Sequence, residues 1–154
     1  MIVIFDLDDT LYDTSGQLDE SFKNIDKIKP FPEAKKLLSA KGFRKILVTR
    51  VKHSIEIQNK KIDTLGIRDY FEEIVFCPNE EDKKSRFEEV IKKNKGEKII
   101  VVGNRPDSEL RYGKMLGLTT VLLHHGKYKD IKPADRFEIP DYTIKKLDEL
   151  LNIL

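Results

Sequence analysis

Sulfur, charge of one sign and long apolar runs are all scarce in this sequence, and each scarcity excludes something. Cys77 is the single cysteine, so no disulfide can form within the chain, as suits a reducing cytosol. The 29 basic and 27 acidic side chains leave a formal charge of +2. That balance calls for neither a nucleic acid nor a membrane surface as partner. No apolar run approaches the roughly 20 residues that cross a bilayer. Asp6, directly after the apolar opening Met1-Ile2-Val3-Ile4-Phe5, breaks the pattern of a signal peptide. A cytoplasmic location is the resulting expectation. Internal repeats, low-complexity tracts and Gly/Ser linkers are absent too, as are a Walker motif and a Gly-x-Gly-x-x-Gly turn. The Cys-x5-Arg arrangement fails because Lys83 stands sixth after Cys77. His53, His124 and His125 have no metal-ligand spacing with cysteine and read as solvated loop or strand-end residues.

What is present is one domain's worth of chain, 154 residues with 39% hydrophobic and 36% charged side chains, taken as a single domain over 1–154. Lys (22) and Glu (13) are abundant while Gln (2) and Ala (3) are few, a balance that points to a hot-living source. The run at 1–5 is apolar on both faces, as in a strand buried from two sides. A helix with Pro32 near its start and Gly42 past its end precedes the strand 45–48. Two more units follow, helix 54–65 with strand 73–76 and helix 83–94 with strand 98–102. A helix over 106–116 leads to the strand 119–123, and a short strand 142–144 precedes a last helix ending at Leu154. Strands alternating with helices predict parallel crossovers. The expected fold is therefore α/β, a doubly wound Rossmann-like parallel sheet of five to six strands with no separate cap domain. In the insert at 14–31, Leu18, Phe22, Ile25 and Ile28 fall at helical spacing and predict a short amphipathic helix.

Ligands of open parallel sheets bind beyond the carboxyl ends of the strands, and four such ends carry polar residues here. Asp6 and Asp8 follow the first strand, two apart and hence on one side of an extended segment. Paired carboxylates repel and persist where a cation or a chemical role compensates; otherwise they form a solvated acidic turn. Thr49, after the second strand, is either an anion donor or a cap. At the start of the helix over 83–94, Lys83 and Lys84 compete. Lys83 lies nearer the buried face set by Phe87, Val90, Ile91 and Asn94. Asn104, in Gly103-Asn104-Arg105-Pro106-Asp107-Ser108-Glu109, is a helix cap, an ion ligand, or both.

Together these four features resemble the haloacid dehalogenase superfamily. Asp6-Leu7-Asp8-Asp9-Thr10-Leu11 matches its first motif, Asp-x-Asp-x-Thr, while Thr49 matches the second and Lys83 the third. Val101 to Leu110 resembles the fourth, with Asn104 where the family usually carries Asp, and 116–121 resembles its entry to strand 5. The resemblance implies a Mg²⁺-dependent phosphatase acting on a phosphorylated substrate, small molecule or larger. Asp6 would be the nucleophile that forms an aspartyl-phosphate, and Asp8 the general acid and then base. Mg²⁺ would be held by Asp6, the Asp8 carbonyl and Asn104. Thr49, the Arg50 amide and Lys83 would hold the phosphate. Asp107 and Glu109 would help to compensate the missing charge at Asn104 through metal-bound waters. With only the insert at 14–31 in place of a cap, the site would be open, or closed by a neighbouring subunit of a homo-oligomer. Two alternatives stand beside this one: a phospho-acceptor receiver-like signalling domain, and a binding module of the same fold with little turnover.

Overall fold

The computed structural model describes all 154 residues. Six strands form one wholly parallel sheet: β1 (Ile2–Phe5), β2 (Arg44–Arg50), β3 (Glu73–Cys77), β4 (Ile99–Gly103), β5 (Thr119–Leu123) and β6 (Tyr142–Ile144). Their order is β3-β2-β1-β4-β5-β6. This is the Rossmann order, which reverses direction beside β1 and opens a crevice between the ends of β1 and β4. A receiver domain has the flavodoxin-like order 2-1-3-4-5 instead. The topology therefore overturns the receiver-like alternative.

The apolar opening behaves as its pattern requires. All four residues of β1 are buried, and alternate side chains enter opposite layers. Val3 and Phe5 join the larger core with Leu37, Leu38, Ile62 and Leu65. Ile2 and Ile4 join the smaller one with Phe87 and Val90. Both faces are thus covered, by α2 (Ala34–Ser39) and α3 (Ile55–Leu65) on one side, and by α4 (Asp82–Lys93) and α5 (Arg111–Met115) on the other. The ends of α3 follow the local code: the Ser54 side chain accepts from the Ile57 amide at 3.1 Å, and Gly66 takes the left-handed conformation at φ 63°.

Three expected elements differ. The insert holds no amphipathic helix, only the single turn α1 (Thr14–Gln17) and a 3₁₀ turn at Ile25–Lys27. Its polar side chains capture the backbone instead. Asn24 Oδ1 accepts from the Asp19 amide at 3.0 Å, and Asp19 Oδ1 from the Lys23 amide at 3.1 Å. Gln17 bonds the backbone of Lys29 in both directions. The helix expected over 106–116 is split. Ser108 sits at φ −125° and ψ −106°, and only Arg111–Met115 is regular helix. The terminal element is a 3₁₀ helix over Leu147–Asn152. No helix is long and apolar enough to cross a membrane.

Candidate active site

The crevice between β1 and β4 is a cleft of about 720 Å³, and Asp6, Asp8, Thr49, Arg50, Lys83 and Asn104 all line it. The sheet brings them together because each sits at or just past the carboxyl end of its strand, or on the first turn of α4. Thr49 lies within β2 rather than after it, as its penultimate residue. Lys83 is buried on the inner face of α4, while Lys84 is only half-buried and pairs with Glu88 at 3.9 Å. The burial arithmetic on α4 thus picks the lysine that enters the cleft.

Around Lys83 the structure places three carboxylates: Asp6 and Glu109 at 3.0 Å and Glu80 at 3.2 Å. Glu80 also accepts from Ser108 Oγ at 2.5 Å and from Arg105 at 3.0 Å, and lies 3.6 Å from Arg50. Burial drives the Asp6 carboxyl up to about 8; Glu109, Asp8 and Glu80 add to the rise and Lys83 opposes it. Lys83 itself is raised well above the ordinary lysine value, because the three carboxylates outweigh the cost of burying its charge. Asp8 moves the other way. Burial favours its neutral form, but the charge of Lys61 and hydrogen bonds from Tyr12, Lys61 and Gln58 prevail, so its carboxyl is lowered.

Asn104 caps nothing. The turn after β4 begins at Arg105 without a side-chain cap. Asn104 is buried, its Oδ1 receives a long 3.5 Å contact from Thr10 Oγ1, and its Nδ2 has no partner. A buried unpaired amide proton costs about 1–3 kcal/mol. Turning the amide over gives Nδ2 to the Thr10 hydroxyl and frees Oδ1 for a ligand. With the Asp6 carboxylate and the Asp8 carbonyl it would make an all-oxygen donor set, the kind that suits Mg²⁺. Asp107 and Glu109 do not supplement that set as expected. Asp107 is held by Arg105 at 3.0 and 2.8 Å, and Glu109 is spent on Lys83 and on the Arg105 amide at 2.8 Å.

Glu109 packs so closely on Gly103 that a Cβ there would meet its Oε1 at 2.2 Å. Gly103→Ala must push that carboxylate off Lys83, and overpacking of this kind costs about 1–3 kcal/mol. Denaturant titration measures the loss; an unchanged midpoint would mean that Glu109 is free to swing away.

Sequence reasoning missed several groups that meet here. Gln58 and Lys61 reach Asp8 from α3, at 3.1 and 2.9 Å. They had a legible signal: 58, 61, 62 and 65 form the i, i+3, i+4, i+7 stripe whose other members are Ile62 and Leu65. Tyr12 and Glu80 gave no such sign. Among the histidines, His53 and His124 are exposed, but His125 is half-buried. Its Nε2 lies 3.1 Å from Asp13, and its ring meets Phe31 edge-on at 4.8 Å. Asp9, Asp13 and His125 bring ligand atoms within 4.8 Å of one another, a grouping able to hold a metal ion. Asp9 and Asp13 already accept from Ser15 and Gly16.

No family model matches the chain. Among curated proteins it is similar to the glyceraldehyde 3-phosphate phosphatase of Methanocaldococcus jannaschii, 30% identical over 136 residues, 82% of this chain and 57% of that protein. It is also similar to the protein of that name from Methanopyrus kandleri, 31% identical over 102 residues, 63% of this chain and 44% of that one. The chain thus spans about half the length of the curated relatives it matches. These sources are thermophiles, in keeping with the Lys/Glu-rich composition. Among solved structures, the putative HAD-hydrolase YfnB of Bacillus subtilis, bound to magnesium, superposes with a TM-score of 0.73 at 18% identity, covering 99% of this chain and 97% of that one. The haloacid dehalogenase-like protein SP0104 of Streptococcus pneumoniae gives 0.73 at 16% identity, covering 99% and 97%. With the Asp-x-Asp-x-Thr turn at the end of its central strand, the chain shares the fold of these haloacid dehalogenase-like structures and is similar in sequence to phosphatases over about half of their length.

Proposed function

We propose that this chain is a Mg²⁺-dependent phosphatase that hydrolyses the monoester of a small phosphorylated molecule through an aspartyl-phosphate at Asp6. The observation that carries this reading is the convergence of Asp6, Asp8, Thr49, Lys83 and Asn104 on one cleft at the switch point of the sheet. The name shared by the curated relatives supports both the reaction and a substrate of triose-phosphate size.

In this reading Asp6 attacks phosphorus in line, and Asp8 gives a proton to the departing oxygen. Thr49, the Arg50 amide and Lys83 hold the non-bridging phosphate oxygens. Asp6, the Asp8 carbonyl and Asn104 hold Mg²⁺, which when bound neutralises charge on the phosphate. In the free chain the two carboxyls lean the opposite way, with Asp6 raised by burial and Asp8 lowered by Lys61 and its hydrogen-bond donors. Substrate corrects this electrostatically. A phosphate dianion beside Asp8 favours proton uptake there, and Asp6 must be ionised to bind a cation. Residues 14–31 serve in place of a cap: Leu18 and Phe22 wall one side of the cleft.

Phosphate release from glyceraldehyde 3-phosphate and from p-nitrophenyl phosphate, with Mg²⁺ and with EDTA, tests the proposal. Turnover that chelation abolishes is expected. Phosphate binding without any release would favour the binding-module reading.

Asn104 supplies the next expectation. Asn104→Asp adds a negative charge to the donor set of a hard cation, so Mg²⁺ should half-saturate at a lower concentration. Without metal the same charge joins Asp6, Glu80 and Glu109, and the melting temperature should fall. Mg²⁺ titration of activity and of thermal stability reads both effects. Weaker metal dependence in Asn104→Asp would remove Asn104 from the ligand set.

A further inference from the structure

We propose that Gln58 and Lys61 are positioning residues. They hold Asp8 so that Oδ2 alone remains available for proton transfer, and they turn the Thr49 hydroxyl toward the substrate phosphate. This inference rests on the phosphatase reading above. Both side chains lie on the core-facing stripe of α3, 2% and 4% exposed. A buried lysine on a core-facing stripe is costly unless its charge is met. Lys61 Nζ meets Asp8 Oδ1 at 2.9 Å.

The donors around Asp8 are divided unequally. Oδ1 accepts from Lys61, from the Tyr12 hydroxyl at 2.7 Å and from Thr14 Oγ1 at 3.1 Å. Three donors on one carboxylate oxygen leave it no free lone pair. Oδ2 accepts only from Gln58 Nε2, at 3.1 Å, so one lone pair there is open. The same Nε2 donates to Thr49 Oγ1 at 2.7 Å. The amide cannot be reversed without setting its oxygen against the Asp8 carboxylate. Since Thr49 Oγ1 accepts from Gln58, its own proton is left to donate, and Thr49 lines the cleft. One amide therefore sets both the proton-carrying atom and the phosphate-binding hydroxyl.

The chemistry balances on these atoms. As an Asp6 oxygen bonds to phosphorus, the bond from phosphorus to the ester oxygen breaks, and that oxygen takes the proton of Asp8 Oδ2. A water oxygen then bonds to phosphorus while Asp8 Oδ2 takes its proton. The bond to Asp6 breaks, releasing inorganic phosphate and restoring both carboxyls.

The test compares two leaving groups. p-Nitrophenolate departs with little help from an acid, whereas the alkoxide of glycerol 3-phosphate needs a proton. Lys61→Met should lower kcat for glycerol 3-phosphate by about 10–100-fold, part of the usual general-acid effect. Its turnover of p-nitrophenyl phosphate should hold within about threefold of the wild type, since little of that acid effect applies there. Inorganic phosphate should inhibit it as it does the wild type. Gln58→Leu should show the same leaving-group split and also weaken inhibition by inorganic phosphate about 5–10-fold, the scale of one lost hydrogen bond. Lys61→Arg should recover part of the glycerol 3-phosphate rate. If Lys61→Met does not fold, Lys61→Gln makes the same comparison, and melting curves identify folded variants.

Equal losses on both substrates, or none, overturn the inference. Asp8→Asn separates the two levels. If it shows the split while Lys61→Met and Gln58→Leu do not, the positioning roles fail and the phosphatase reading survives. If it shows no split, Asp8 is not the acid, and both ideas fall together.

Discussion

Asp6→Asn is expected to lose phosphatase activity by a factor on the order of 10⁴ or more, the scale of a removed nucleophile, and at the same time to melt higher than the wild type without metal. The two effects have one cause. The Asp6 carboxyl is forced into a buried site beside Glu109, Asp8 and Glu80, and its pKa rises from 3.8 to about 8. A carboxyl raised on folding stabilises the fold fully below its unfolded value, and that contribution is lost as pH climbs through the folded one. From about pH 4 to pH 8 the wild type therefore loses stability that an uncharged amide does not lose. The melting-temperature gap between Asp6→Asn and wild type should widen over that window in EDTA. Mg²⁺ should then close it, by stabilising only the chain that retains the carboxylate. Parallel melts at several pH values, with and without Mg²⁺, measure both trends. A variant that melts below the wild type at pH 8 in EDTA would show that Asp6 is not under that strain.

Lys83→Met should be the most damaging single change to the fold. It leaves the buried carboxylates of Asp6 and Glu109, with Glu80 beside them, without their shared cation. Breaking a buried pair from one side costs about 3–5 kcal/mol, which for a chain of this length is a drop of roughly 10 °C. The penalty should shrink at pH 5, where the stranded carboxylates can take protons. In the wild type Lys83 stays charged at any working pH, because its pKa is raised well above the ordinary lysine value. Thermal melts at pH 5 and pH 8 separate this mechanism from simple loss of packing, which would cost the same at both.

The legible parts of the molecule were those governed by neighbours close in sequence. β5 and β6 span 119–123 and 142–144, as their apolar pattern predicts. Ser54 and Gly66 bound α3 through contacts within one turn. Lys83 was found because helical geometry alone puts it beside Phe87 and Val90. Long-range groups set the rest. Ser108 bonds Glu80, 28 residues away, and that part-buried bond sits at the break in the helix expected over 106–116. In the insert, Gln17 reaches Lys29, an option that periodicity cannot weigh against a helix. Lys61 and Gln58 were overlooked because polar residues on a helix read as its wet face, and their partner Asp8 lies some 50 residues upstream.

The central place of β1 has a consequence for hydrogen exchange. Flanked by β2 and β4 and buried on both faces, its amides can exchange only when the sheet itself comes apart. The wall at residues 14–31 holds a single helical turn and one 3₁₀ turn, and its amides should open locally at far lower cost. Strand β1 and the wall thus sit at opposite ends of the molecule's range of opening energies. On the phosphatase reading, the wall would part to admit a substrate and release phosphate while the strand that carries Asp6 stays closed to deuterium.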